Sequence, residues 1–148
     1  MKLIYLMKTI ISLFIIFFKI NKSSKKIIVF YFNIKTFHRN ILKLIKKINK
    51  NNNQVLVFYN HKTQIDIKDF KNSFFVDLNL IKFLPFSNAP LDKINFFIFS
   101  YLSYVYPRNS KNIFISHDIY DAPMVDQEIE RKYILAFEKI DHILSSSE

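Results

Sequence analysis

Two short apolar segments, with an amphipathic helix pattern between them, constrain this chain more than any other feature. Residues 26–32 (KIIVFYF) and 54–59 (QVLVFY) are dense in β-branched and aromatic side chains, and neither alternates between apolar and polar positions. A strand without such alternation is buried on both faces, which is typical of the centre of a parallel sheet. Both segments are therefore predicted to be central strands.

The segment between these strands has helical periodicity. Its apolar positions are Ile34, Phe37, Ile41, Leu44, Ile45 and Ile48, and basic side chains fill the opposite face. Such a stripe predicts an amphipathic helix of roughly four turns. Strand, helix and strand together predict a βαβ unit, in which two parallel strands are joined by a right-handed crossover.

The rest of the chain continues this succession of strands and helices. The elements expected are a loop over 60–72, a short strand over 73–78, an irregular stretch over 80–90, a helix over 91–106, a strand over 113–116, a helix over 125–140 and a strand over 142–145. The order predicts an α/β fold with an open, Rossmann-like, mostly parallel sheet, formed by residues 25–148 as one domain.

The N-terminal segment, residues 1–24, is set apart by a run of apolar side chains from residue 3 to residue 18. Lys8 interrupts the run, which is shorter than the ~20 residues that span a bilayer comfortably. Four lysines follow it, at positions 19, 22, 25 and 26. We expect a membrane-associated helix, either spanning or lying in the interface, with its basic flank on the cytoplasmic face. The alternative is a first core helix docked on the domain.

Charge is distributed very unevenly along the chain. Residues 1–62 contain thirteen Lys or Arg and no Asp or Glu, whereas residues 63–148 contain nine basic and twelve acidic residues. The formal net charge of +10 therefore belongs to the N-terminal part. A basic region beside an apolar helix, without a nucleic-acid-binding motif, predicts an anionic membrane surface as partner and no specific nucleic acid.

Two missing residue types exclude several kinds of site. The chain has no Cys, which excludes disulfides and thiolate metal sites. It has no Gly, and the P-loop, the GxGxxG dinucleotide turn and the GxSxG elbow all need glycine where the backbone turns tightly or approaches a phosphate. The His and Asp residues have no spacing such as HExxH, so we expect no bound metal and no cofactor.

Chemistry-bearing side chains are most concentrated after the strand over 113–116. His117, Asp118, Tyr120 and Asp121 follow that strand within five positions, and a helix signal comes next. The carboxyl end of a strand is where α/β proteins hold their ligands. An imidazole suits general base catalysis at neutral pH, so His117 is the predicted base, with Asp118 or Asp121 orienting it and Tyr120 lining the cleft.

Each of these side chains also has a purely structural interpretation. His117 can cap the following helix or bond a loop. Asp121, two residues before Pro123, has the sequence of a helix start. Tyr120 can pack as a buried aromatic residue.

The order of a strand, His117-Asp118, Asp121-Ala-Pro, a helix and then Ile140-Asp141-His-Ile-Leu-Ser145-Ser146 resembles the N-terminal domain of GT-B-type transferases. It looks most like the branch that contains glycosyltransferases and CDP-glycerol glycerophosphotransferases of cell-envelope polymer synthesis. That branch has a histidine-led motif facing the interdomain cleft and a second element of the form (Y/A)D-x-(I/L)-x-x-S. The glycerophosphotransferase form has glycine after the histidine, where this chain has Asp118. The resemblance covers residues 26–148.

This resemblance implies the acceptor-side half of a membrane-associated glycosyl- or glycerophosphotransferase. A nucleotide-activated sugar or alcohol donor would be held by a C-terminal domain that has no counterpart here, so this half is expected to be inactive alone. Ser145 and Ser146 would contact the acceptor or a phosphate, and Asn33 and His38 would border the same cleft. The structural alternatives are a frayed terminus for the serines and a solvated helix face for His38.

Two other classes of function compete with the transferase. One is a non-enzymatic, membrane-anchored α/β module that binds a protein partner or anionic lipid. The other, which the charge pattern supports less, is a basic nucleic-acid-binding domain. His61, which follows the second strand, is a weak further candidate for a site residue.

Overall fold

The computed structural model describes residues 2–32, 39–49, 52–61, 70–81, 88–100, 106–116 and 138–145. Its helices are α1 (Lys2–Asn21), α2 (Arg39–Asn49), α3 (Leu78–Ile81) and α4 (Asn88–Leu91). Its strands are β1 (Ile27–Phe32), β2 (Gln54–Tyr59), β3 (Ser73–Phe75), β4 (Phe96–Phe99), β5 (Lys111–Ser116) and β6 (His142–Ser145).

The six strands form one open sheet in the order β3-β2-β1-β4-β5-β6. All five pairings are parallel. The chain starts at the centre, builds outward to β3, and then crosses to the other side of β1 to add β4, β5 and β6. This order is that of the Rossmann-like doubly wound fold, and it confirms the predicted fold class.

The centre of the sheet is buried on both faces, as the apolar segments predicted. All six residues of β1 are buried. Alternate residues of this strand enter separate cores: Val29 and Tyr31 lie in one, and Ile28 and Phe30 lie in the other. The second core is completed by α2, whereas α1, α3 and α4 contribute to the first. The sheet is therefore covered by helices on both sides, which is what an all-parallel sheet requires.

The prediction of a helix over residues 91–106 is wrong, because this stretch contains β4. This strand lies between β1 and β5, and its last three residues are buried. A short apolar run that is buried on both faces has no periodicity that separates strand from helix, so length alone favoured a helix. The Asn95 side chain marks the start of the strand: its Oδ1 accepts a hydrogen bond from the Ile27 backbone N–H at 2.8 Å.

Smaller differences occur around the third strand. β3 is shorter than predicted, because the chain turns into α3 at Leu78. The stretch predicted as irregular overlaps the end of α3 and most of α4, each four residues long. Pro90 lies within the first turn of α4. A helix tolerates proline there, because a backbone N–H at that position would have no intrahelical acceptor.

The turn that follows α2 shows how a chain without glycine reverses direction. Asn52 has a φ of 57°, in the left-handed region that glycine usually occupies at this position. Asn tolerates this region better than most residues. The next side chain, Asn53, donates a hydrogen bond from its Nδ2 to the Ile48 backbone carbonyl at 3.5 Å. Asn52 thus takes the left-handed conformation for which glycine is the usual residue, and Asn53 provides a hydrogen bond to a carbonyl in the last turn of α2.

The N-terminal helix α1 has two different apolar faces. One face packs into the sheet core through Leu13, Ile16 and Ile20, of which Ile16 is 0% exposed. The other face, here called the α1 stripe, is exposed and consists of Leu3, Ile4, Met7, Ile11, Phe14, Ile15 and Phe18. The part of α1 from Leu3–Asn21 is long and apolar enough to cross a membrane. The same helix is nevertheless an integral layer of the domain.

Exchange of Phe97 for Ala tests β4 as a buried central strand. Phe97 is 0% exposed, and its ring lies 5.7 Å from that of Tyr31. We expect F97A to lower the free energy of unfolding by about 3–5 kcal/mol, through lost burial and a cavity. The control is Phe14→Ala on the α1 stripe, where Phe14 is 60% exposed, with an expected change within about 0.5 kcal/mol. Equal losses in urea unfolding of the two variants would contradict the assignment.

Candidate functional site

The carboxyl ends of all six strands meet at one edge of the sheet, here called the carboxyl edge. The strand order reverses between β1 and β4, and α/β proteins of this type bind ligands in the crevice at that point. The described residues nearest to it are Phe32 at the end of β1 and Ser100 after β4, both buried. Residues 33–38 and 101–105, which continue from these strands, lie outside the described part of the chain.

Most of the site residues predicted from the sequence also lie outside the described residues. They are His117, Asp118, Tyr120, Asp121, Asn33, His38 and Ser146. Ser145 is the last residue of β6, and in the parallel register it pairs with Ser116, the last residue of β5. His117 and Ser146 therefore directly follow the paired ends of two adjacent strands, β5 and β6. Their functional roles remain predictions.

Asp141, part of the second element of the resemblance, lies at the opposite, amino edge of the sheet. Its Oδ2 accepts a hydrogen bond from the Asn112 backbone N–H at 2.7 Å, and its own N–H donates to the Asn112 carbonyl at 2.9 Å. The Asn112 side chain donates to the Lys139 carbonyl at 2.9 Å. These bonds align the starts of β5 and β6, so Asp141 has a structural function there.

A polar cluster that the sequence reasoning did not assemble lies at the carboxyl ends of β1, β2 and β3. Asp77, whose side chain is 6% exposed, is at its centre. Its Oδ2 is 3.4 Å from His61 Nδ1, and its Oδ1 accepts from the Asn79 N–H at 3.1 Å. The Asp77 N–H donates to Thr9 Oγ1 of α1 at 3.2 Å. One buried carboxylate residue therefore joins the N-terminal helix to the sheet.

Tyr31 extends the cluster to the centre of the sheet. Burial raises the pKa of its hydroxyl well above the usual range, and the negative charge of Asp77 raises it further. Hydrogen bonds from the Leu78 backbone and from the Asn60 side chain, whose Nδ2 is 3.4 Å from Tyr31 Oη, lower this pKa by less. Tyr31 is consequently a neutral phenol at physiological pH.

His61 connects the cluster to an open groove. Its ring stacks on that of Tyr5, with centroids 4.8 Å apart and planes 12° apart. The groove, about 660 Å³ in volume, lies between α1 and β3 and is here called the α1–β3 groove. Lys8 and Ile11 are on its helix side, and Phe75 is on its sheet side. Within the described part of the chain, this arrangement brings a carboxylate-paired imidazole next to an accessible cavity.

One sequence signal could have found part of this cluster. Asn60 and His61 directly follow β2, and Asp77 follows β3 after a single residue. These three residues follow the carboxyl ends of strands, as His117 does, and such positions commonly hold ligands in α/β proteins. No comparable signal exists for Tyr5 and Thr9, because they lie within an apolar run that predicts membrane contact rather than a polar contact with the sheet.

Among the described residues, no group of three or more His, Cys, Asp or Glu side chains is arranged to hold a metal ion. Comparisons of the chain with protein-family models, with curated proteins and with solved structures found no match.

Exchange of Tyr31 for Phe tests the buried phenol. Because the folded-state pKa lies above the ordinary value of 10.0, the stability from the neutral hydroxyl is complete below about pH 10 and is lost as the pH rises toward the folded-state pKa. We expect Y31F to be about 1 kcal/mol less stable than the unmodified chain near neutral pH, and this difference to shrink above pH 10. Urea unfolding at both pH values measures it.

Tyr59→Phe is the matched control for this effect. Tyr59 is half-buried and its pKa is raised by burial alone, so the same exchange should change the pH dependence less. If the stability difference between Y31F and the unmodified chain stays constant above pH 10, the Tyr31 hydroxyl does not have a raised pKa in the folded protein.

Proposed function

We propose that this chain is the acceptor-side domain of a glycosyl- or glycerophosphotransferase that works at a membrane surface. The observation that carries the proposal is the pairing of Ser116 with Ser145 at the carboxyl edge, immediately before His117 and Ser146. The two segments that resemble the GT-B transferases thus leave the sheet side by side. The Rossmann-like strand order supports the same conclusion.

The chemistry of the proposed reaction follows from the residue types. Transfer to a hydroxyl group requires a base that takes the acceptor proton while the acceptor oxygen bonds to the transferred group and the nucleotide of the donor leaves. In the proposal His117 is this base, Asp118 or Asp121 orients it, and Ser146 donates a hydrogen bond to the acceptor or to a phosphate. The nucleotide-activated donor is held by a second domain, because a chain without glycine lacks the turn that binds a pyrophosphate.

The location belongs to the proposal as well. A spanning α1 would have to leave the sheet, and part of the core that Leu13, Ile16 and Ile20 now complete would be exposed to water. Each large apolar side chain exposed in this way costs about 1.5–3 kcal/mol. A helix that keeps this face packed and lies in the membrane interface through the α1 stripe avoids that loss. Lys22 and Lys25, both exposed beyond the end of α1, favour the anionic cytoplasmic leaflet.

Transferase activity is tested by first reading the DNA downstream of the Glu148 codon for a nucleotide-binding domain. That domain, co-expressed with this chain, is assayed for transfer from labelled CDP-glycerol or nucleotide sugars to membrane acceptors. We expect His117→Ala to lower the rate by about 10²–10⁴-fold, because general base catalysis is lost. The control is His142→Ala, since His142 is exposed at the amino end of β6.

Two outcomes would contradict the transferase. Equal rates for the two His variants would remove His117 as the base. The lack of any donor-binding domain, in the neighbouring DNA or among co-purifying proteins, would favour the non-enzymatic membrane module, whose supporting observation is the exposed α1 stripe.

Interfacial membrane binding is tested with a matched pair of isoleucines. Ile4 is 60% exposed on the α1 stripe, and Ile143 is 58% exposed on β6. We expect Ile4→Glu to weaken co-sedimentation with phosphatidylglycerol-containing vesicles by about tenfold or more, because one buried isoleucine side chain is lost from the membrane contact. Ile143→Glu adds the same charge and should bind like the unmodified chain. Equal binding by both variants would exclude the α1 stripe as the contact.

A further inference from the structure

The α1–β3 groove opens beside the α1 stripe, and its walls combine apolar and cationic side chains. We propose that this groove binds the headgroup of an anionic phospholipid, whose acyl chains continue along the α1 stripe into the membrane. The inference rests on the proposed position of α1 in the membrane interface. It adds a binding site for one lipid molecule to the general contact between the α1 stripe and the membrane.

The apolar walls of the groove are continuous with the membrane-facing surface. Ile11 and Ile15 are 56% and 51% exposed, and they belong both to the α1 stripe and to the groove. Phe74 and Phe75 of β3 form the opposite wall. At about 660 Å³, the cavity is within the usual size of small-molecule sites and accommodates a headgroup with the upper part of its chains.

Two side chains that face the groove, Lys8 and His61, are suited to a phosphate. Lys8 Nζ lies 5.7 Å from the centre of the Phe75 ring, at the groove wall. The His61 side chain is 36% exposed, and its ring is held by stacking on Tyr5 and by Asp77. An ammonium group donates hydrogen bonds to phosphate oxygens, and an imidazolium ring whose Nδ1 faces a carboxylate does so from Nε2. The carboxylate of Asp77 lies behind His61 and is 6% exposed, so it does not line the groove itself.

Charge complementarity extends along the whole helix. A second cavity of about 410 Å³ at the C-terminal end of α1 is lined by Lys19, Lys22 and Lys25. Residues 1–62 contain no acidic side chain, and the one carboxylate placed behind the groove above, that of Asp77, is paired with His61. The membrane-facing side of the domain is therefore cationic at both ends of the α1 stripe, which matches a surface of anionic headgroups. A membrane lipid is the occupant that matches the apolar walls and the charge together.

The test uses the full chain and a water-soluble lipid, dihexanoyl phosphatidylglycerol, kept below its micelle concentration. Binding is followed through the NMR resonances of the His61 and Tyr5 rings. We expect Lys8→Gln and His61→Gln each to weaken binding by about tenfold, because each removes a charge-assisted hydrogen bond. Thermal unfolding of each variant confirms that it is folded.

Matched controls separate a site from general attraction between charges. Lys43→Gln removes the same charge as Lys8→Gln from an exposed position on α2, and His142→Gln repeats the other exchange at an exposed position on β6. Both controls should bind as the unmodified chain does. Dihexanoyl phosphatidylcholine, which has no net charge, should bind more weakly than the phosphatidylglycerol.

Three results would overturn the lipid site. The first is an equal loss of affinity in the groove variants and in their controls. The second is binding of inorganic phosphate as tight as that of the lipid, with the same shifts, because the occupant would then be a free anion. The third is vesicle binding without any binding of the soluble lipid, which removes the groove but leaves the interfacial position of α1 intact. None of these measurements depends on transferase activity.

Discussion

Burial of β1 on both faces is the constraint on which the rest of the structure depends. A central parallel strand cannot contact water on either side, so it needs a helical layer above and below and a hydrogen-bonded strand on each edge. The α2 crossover supplies one layer. In the described part of the chain, the other layer contains α1, which precedes β1, together with the short helices α3 and α4. An apolar N-terminal helix is therefore a requirement of this sheet, whatever else that helix contacts.

The dual character of α1 explains why the sequence alone left its function open. Hydropathy describes the helix as a whole and does not distinguish a face that packs on a sheet from a face that meets lipid. The distinction lies in two small polar residues, Thr9 and Ser12, which are buried although the residues around them are apolar. Thr9 accepts a hydrogen bond from the Asp77 backbone. A polar residue within an apolar run can thus mark the side that contacts protein, because protein supplies hydrogen-bond partners and lipid tails do not.

An element could be predicted from the sequence where its pattern of apolar residues fits either a helix or a strand, but not both. The unit from β1 to β2 was predicted because a helical period lies between two runs with no alternation. β4 was missed because Phe96–Phe99 is a short apolar run next to other apolar residues, and only its pairing with β1 and β5 establishes it as a strand. The contact between Asp77 and His61 joins residues that follow two different strands and lie beside α1. No pattern within a short stretch of sequence predicts such a long-range contact.

The two edges of the sheet differ in the polar groups that they bring together. At the amino edge, Asn72, Asn95 and Asp141 accept from or donate to the backbone of neighbouring strands, which stabilises register. Side-chain pairs occur at both edges: at the amino edge Ser110 Oγ donates to Asn112 Oδ1 at 2.8 Å. At the carboxyl edge the buried Asp77 and Tyr31 contact His61 and Asn60, and this network reaches the α1–β3 groove through His61. A buried carboxylate loses hydration free energy that a structural role in register does not require. Asp77 lies beside a partly exposed imidazole, and its backbone N–H donates to Thr9 of α1, so the polar cluster connects the carboxyl edge of the sheet to the helix that carries the α1 stripe.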